Sequence, residues 1–186
     1  MINYHLLISF FLVITFSCNT DDHIRTYRIS KKRQGNSVAQ SIIKNNDLIL
    51  KWEKPDNWIE VTGHSMRLVS FRVPCSNGFG DLSITSFDGK SGSINSNVNR
   101  WLGQIGLSPK VSEEIADLTQ MKNGELGQFL FFKLINHQKE EKAILAAIYT
   151  LEDRTIFIKL MSEFQCLLAN EIDFTKFCES LSLVRK

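Results

Sequence analysis

The sequence predicts an α+β fold, a three-layer α/β/α sandwich built on a mostly antiparallel sheet. Three observations predict it. First, residues 126–135 and 143–151 are strand-length runs that are apolar on both faces. Leu126, Leu130, Phe132 and Leu134 oppose Phe129, Phe131 and Ile135, while Ala143, Leu145, Ala147 and Tyr149 oppose Ile144, Ala146 and Ile148. An antiparallel sheet with one wet face alternates apolar and polar residues, so these strands are expected to be central and covered on both sides. Second, Ile94, Val98, Trp101, Leu102 and Ile105 form one apolar stripe at helical period, which suits a covering helix. Third, a helix over about 163–181 presents Phe174, Phe177, Cys178 and Leu181 and supplies the opposite layer.

Taken in order, the first 17 residues read as a leader. Leu6 to Phe16 is apolar apart from Ser9 and Thr15, as long as a signal h-region and too short for a comfortable membrane span. Ser17-Cys18 follows, and the segment resembles a bacterial lipoprotein signal in which Cys18 is acylated and becomes the mature N-terminus. The segment before Leu6 lacks Lys and Arg, and Thr15-Phe16-Ser17 departs from the usual residues before such a Cys. An ordinary signal peptide, or an uncleaved anchor helix, with Cys18 incidental is the competing reading. Asn19 after the Cys, by resemblance to Gram-negative sorting rules, favours the periplasmic side of the outer membrane. Residues 18–46 are polar and without strong period, as a flexible tether would be.

The remainder, 47–186, is one domain. Its first strand is expected at Leu48–Trp52, a turn at Pro55-Asp56-Asn57, and an extended run at Trp58–Val61. Met66–Val73 reads as a strand that puts Arg67 on the face of Val69, Phe71 and Val73, and Gly80–Phe87 is the next. Ser93 can cap the helix that follows and Gly106 can close it. Ser112 can cap a short helix through Leu118, with Glu113 and Glu114 in its first turn. Lys122-Asn123-Gly124 reads as a turn. Strands at 126–135, 143–151 and 155–162 then run as a meander.

The formal charge is +2, and Arg25, Arg28, Lys31, Lys32 and Arg33 crowd the tether against Asp21 and Asp22. Without these, 17 basic and 18 acidic side chains remain, so no basic groove for nucleic acid is expected on the domain. The expected partners are a membrane, through the lipid anchor, and an envelope protein.

The order Trp52…Pro55…Trp58, Met66-Arg67, Gly80-Asp81-Leu82-Ser83 and Asn97-Val98-Asn99-Arg100-Trp101…Gln104-Ile105-Gly106-Leu107 is similar to a group of uncharacterised bacterial exported proteins. That group resembles the PsbP-like superfamily, which takes in photosystem lumen proteins, Ran-binding Mog-type proteins and bacterial lipoproteins. The resemblance implies an α/β/α sandwich and a role in binding or assembly, without catalysis. It carries over no catalytic residue.

The residues themselves also say little for catalysis, and no cofactor is implied. His64 is the one histidine suited to a site, and no nucleophile or carboxylate is fixed near it by spacing. A small envelope enzyme using His64 or a free thiol is the alternative function. No metal-ligand spacing is present. Cys166 and Cys178, twelve apart on one helix, lie roughly 18 Å apart by helix rise and cannot bridge. Either could pair with Cys75, although buried, unpaired thiols packing as small apolar residues are favoured. Gly89 and Gly92 ahead of a helix could cradle an anion, but a loop needing two glycines explains them. The neutral amides are the more distinctive feature. Asn97, Asn99, Arg100 and Gln104 fill the polar side of the 94–105 helix, and with Arg67 they form the expected polar cluster or binding site. Repeated Asn, a mediocre helix former, implies specific hydrogen bonds there.

Overall fold

The computed structural model describes residues 49–62, 66–139 and 142–184. The strands are β1 (Ile49–Lys51), β2 (Ile59–Val61), β3 (Val69–Pro74), β4 (Phe79–Asp88), β5 (Thr119–Gly124), β6 (Gly127–Ile135), β7 (Ala143–Thr150), β8 (Arg154–Ser162) and β9 (Ser182–Val184). The helices are α1 (Ile94–Gln104), α2 (Ser112–Asp117) and α3 (Phe164–Glu179). Seven strands form one sheet in the order β2-β3-β4-β8-β7-β6-β5, with every neighbouring pair antiparallel.

The two-sided strands lie inside this sheet, and each face has its own core. On the α3 side, Phe129, Phe131, Leu145, Tyr149, Ile158 and Leu160 join Leu167, Phe174, Phe177 and Leu181. On the α1 side, Phe132, Leu134, Ile144 and Ile148 meet Val98, Trp101, Leu102, Ile105 and Ile115. Each fully buried side chain of this kind contributes about 1.5–3 kcal/mol, so both helical layers are held chiefly by area removed from water. The α+β fold with helices on both sheet faces is therefore the one the strand patterns predict.

Several local expectations change. Leu126 packs with the α3-side core and not with Leu130. It sits in the two-residue turn between Gly124 and Gly127, where strand alternation has not yet begun. Lys122, Asn123 and Gly124 are not a turn but the end of β5, a polar edge strand that pairs only with β6. Its polarity disguises it, because an edge strand has less apolar surface to cover. At Gly124 the strand meets α3 so closely that an added Cβ would lie 2.8 Å from the Glu179 carbonyl oxygen. The first strand pairs outside the main sheet, with the C-terminal β9. Val111, not Ser112, caps α2, and Glu114 reaches back to accept from the Val111 N–H at 3.2 Å.

The cysteines differ too. Cys75 and Cys166 form a disulfide, and among the described residues Cys178 alone is free and buried. The hairpin end after β3 lies against the first turn of α3, bringing the two Cα atoms to 5.1 Å, within the range a disulfide spans. Only the folded sheet brings these positions together, 91 residues apart in the chain.

Candidate functional site

The polar side of α1 is built from capping and bracing bonds. Ser93 caps the helix, its Oγ accepting from the Ser96 N–H at 3.1 Å. Asn97 Nδ2 donates to the carbonyls of Ser91 and Ser93, both at 3.1 Å, and its Oδ1 accepts from Arg100 Nη2 at 2.9 Å. Asn99 grips one residue of the following loop twice: its Oδ1 accepts from the Lys110 N–H at 2.7 Å, and its Nδ2 donates to the Lys110 carbonyl at 3.0 Å. Asn95 donates to Ser112 Oγ at 2.6 Å. These bonds fasten the α1–α2 connection to the helix. Loss of both Asn99 bonds strands two backbone groups, so Asn99→Ala is expected to lower stability by about 1–3 kcal/mol, read as a lower urea midpoint.

Arg67 lies elsewhere. Its Nη1 and Nη2 donate to Asp81 Oδ1 and Oδ2 at 2.8 and 2.9 Å, and Nη1 also donates to Ser70 Oγ at 3.2 Å. Ser70 faces the α1 side of the sheet, opposite the Val69, Phe71 and Val73 face expected for Arg67. Regular strand begins only at Val69, so alternation does not reach back to Arg67, and the guanidinium turns to the nearest carboxylate. No direct hydrogen bond joins Arg67 to Asn97, Asn99, Arg100 or Gln104.

The group between them is Lys159, which sequence reasoning missed. It sits mid-strand in β8, between Phe157 and Met161 on the α1 side, and its Nζ donates to Gln104 Oε1 at 2.9 Å. Burial, then the Arg67 guanidinium, push its ammonium below the usual lysine value; Asp81 opposes them, and Arg100 depresses it further. A seam thus runs between α1 and strands β3, β4 and β8, in which Gln104 bonds Lys159, Asp81 pairs with Arg67, and Arg67, Asp81 and Arg100 all act on Lys159. The available sequence signal was a single Lys interrupting the apolar run Ile156–Met161. Lys133 gives a contrast. It also interrupts a central strand, but faces α3 and is answered by Glu171 at 2.6 Å. Lys159 is answered by a neutral amide.

A second concavity lies beside the first turn of α1. Two adjoining cavities of about 280 and 180 Å³ share Ile148 and Thr150; the larger also meets Ile94, Phe157 and the polar 90–93 loop, and the smaller Met121 and Leu130. The Gly89 and Gly92 loop at its rim has both glycines at positive φ, 65° and 70°, and is tied to Thr155 through the Gly89 carbonyl at 2.9 Å.

His64 and Cys18 lie outside the described residues. Among the described residues the one free thiol, Cys178, is fully buried, and burial raises its pKa well above the ordinary thiol value. It is therefore protonated and shielded, the opposite of a reactive cysteine. The described residues contain no group of three or more His, Cys, Asp or Glu placed to hold a metal ion, and no helix long and apolar enough to cross a membrane.

No family model matches the sequence, and no curated protein sequence matches it. The chain is similar to several solved structures, three of which follow. A crystal structure from Bacteroides thetaiotaomicron gives a TM-score of 0.48 at 11% identity, covering 74% of this chain and 46% of that one, so this chain spans less than half of that protein's length. The solution structure of a cyanobacterial PsbP (CyanoP) from Synechocystis gives 0.48 at 13% identity, covering 81% of this chain and 98% of that one. The crystal structure of LpqN, involved in cell envelope biogenesis of Mycobacterium tuberculosis, gives 0.44 at 9% identity, covering 75% and 86%.

Proposed function

We propose that the chain is a non-catalytic cell-envelope lipoprotein whose folded domain is a binding or assembly module. Residues 1–17 are its signal peptide, Cys18 its acylated N-terminus and residues 18–46 its tether. Several buried acyl chains, at about 0.8 kcal/mol per methylene, would hold it firmly at a membrane surface. The Cys75–Cys166 disulfide supports export, because such bonds persist in oxidising compartments.

The observation that carries the binding reading is the seam beside α1. Gln104 and Arg100 sit on a helix braced at its middle and its C-terminal end, and Lys159 on the strand beneath it, so their geometry is set before any ligand arrives. Preorganised polar groups of this kind lower the ordering cost of binding.

Two measurements test the reading. Mass spectrometry of the membrane fraction is expected to show an acylated N-terminal Cys18, and a soluble mature form would refute the anchor. In cross-linking capture from the protein's own envelope, Gln104→Ala and Arg100→Ala are expected to abolish recovery of the partner. Both sites are on the helix surface, so the melting temperature should move by no more than about 0.5 kcal/mol in stability terms. Undiminished recovery with both variants would remove the seam from consideration.

A further inference from the structure

We infer that the seam receives an oxyanion, a carboxylate or phosphate group carried by the ligand, with Lys159 and Ser83 as its floor and Arg100 and Arg67 at its rim. This deepens the binding reading above and rests on it.

The sheet register defines the floor. Ser70 on β3 pairs with Ser83 on β4, Ser83 pairs with Lys159 on β8, and Lys159 pairs with Ala146 on β7. All four face α1, because the residues flanking each of them pack in the α3-side core. Lys159 is thus bordered by a serine and an alanine, both small side chains. Ser83 is 6% exposed, and its hydroxyl makes no hydrogen bond, although Ser70 beside it accepts from Arg67. Among the described residues the buried side-chain polar atoms left without a partner are the Trp52 and Trp58 indole nitrogens, so the Ser83 hydroxyl reaches solvent and can donate to an acceptor arriving from outside.

Charge points the same way. Arg67 and Arg100 both act on Lys159, as does Asp81, the carboxylate of the group. Asp81 already gives both oxygens to Arg67. A cation withdrawn from water without a countercharge is costly, and Lys159 has only the Gln104 carbonyl oxygen. An arriving oxyanion would supply the missing charge and accept from both the ammonium and the Ser83 hydroxyl. Such charge-assisted bonds are about twice as strong as neutral ones. A half-buried ammonium bonded to a neutral amide adds little to stability, and perturbed charges of this kind cluster at functional sites.

The test compares melting temperatures of the purified protein in sodium phosphate, sodium acetate and sodium chloride at equal ionic strength. Wild type is expected to gain several degrees from phosphate, acetate or both, saturating with concentration. Which salt acts tells phosphate from carboxylate. Phosphate also stabilises proteins generally by exclusion from their surfaces, so the reference is Lys159→Met, in which the saturable gain should vanish. Ser83→Ala should weaken it. Without added anion, Lys159→Met is expected to melt no lower than wild type, since it removes an uncompensated cation and keeps the apolar stem. No saturable gain in wild type, an equal gain in Lys159→Met, or a lower melting temperature for Lys159→Met in chloride would each overturn the inference. The outcomes separate from those above. Capture that depends on Gln104, with no anion effect, leaves the seam a binding site for some other chemistry. Capture indifferent to Gln104 and Arg100 removes the seam whatever the anions do.

Discussion

Trp101→Ala is expected to lower the stability of the domain by about 3–5 kcal/mol, the usual cost of emptying a buried aromatic site. Trp101 is 2% exposed and stands edge-on to Phe132 of β6 and Phe157 of β8, at ring-centroid distances of 6.3 and 6.1 Å. It therefore joins α1 to two strands that are not themselves neighbours. The helix cannot easily sink into the vacated space. Asn99 holds its middle to Lys110, and Asn136 Nδ2 donates to the Ile105 carbonyl at 2.8 Å and holds its end. Trp101→Phe should lose distinctly less. Urea unfolding followed by far-UV circular dichroism gives the difference. A loss below about 1 kcal/mol for Trp101→Ala would mean that α1 is not a packed layer, because core truncations of this size cost more than that. Global stabilities are typically 5–15 kcal/mol, so the full loss leaves a marginal fold.

The second large effect concerns the disulfide. A bond between Cys75 and Cys166 closes 91 residues of chain. The chain-entropy treatment assigns about 4–5 kcal/mol to a loop of that size, and native disulfides typically return about 2–5 kcal/mol. The double substitution Cys75→Ser with Cys166→Ser is expected to lose stability in that range, and dithiothreitol should shift wild type in the same direction. The loss should show first as release of the α3 N-terminus from the end of β3. One further tie bridges that gap directly: Asn170 Nδ2 donates to the Pro74 carbonyl at 3.3 Å. A melting temperature unmoved by reductant would show that the bond does not form in solution, and with it would go the structural support for export.

Both effects act through parts of the molecule that the sequence reveals to different degrees. The stripe Val98, Trp101, Leu102 and Ile105 is local, and so are the alternations at 127–135 and 143–150, so periodicity alone exposes them. The disulfide is not local. Spacing along the α3 helix excludes a Cys166–Cys178 pair, but residue type favours buried, unpaired thiols, and the approach that bonds Cys166 to Cys75 leaves no local signal.

The polar cluster divides in the same way. Repeated Asn on one helix face announces specific hydrogen bonds, and Asn97 and Asn99 make them within about a dozen residues of chain. Arg67 finds Asp81 across a hairpin, which a strand assumed to begin at Met66 placed on the wrong face. Lys159 meets Gln104 from 55 residues away.

By itself, then, the sequence determined the layer architecture, the meander of β6, β7 and β8, the limits of α1 and the absence of a basic surplus outside residues 18–46. These follow from period, capping and composition, each read within a few residues. Tertiary structure alone decided the β5 edge, the β1–β9 pair, the Cys75–Cys166 bond and the meeting of Lys159, Ser83 and Gln104. Each of those depends on which strands become neighbours and in which register, and a shift of one residue would send Lys159 and Ser83 to the opposite face.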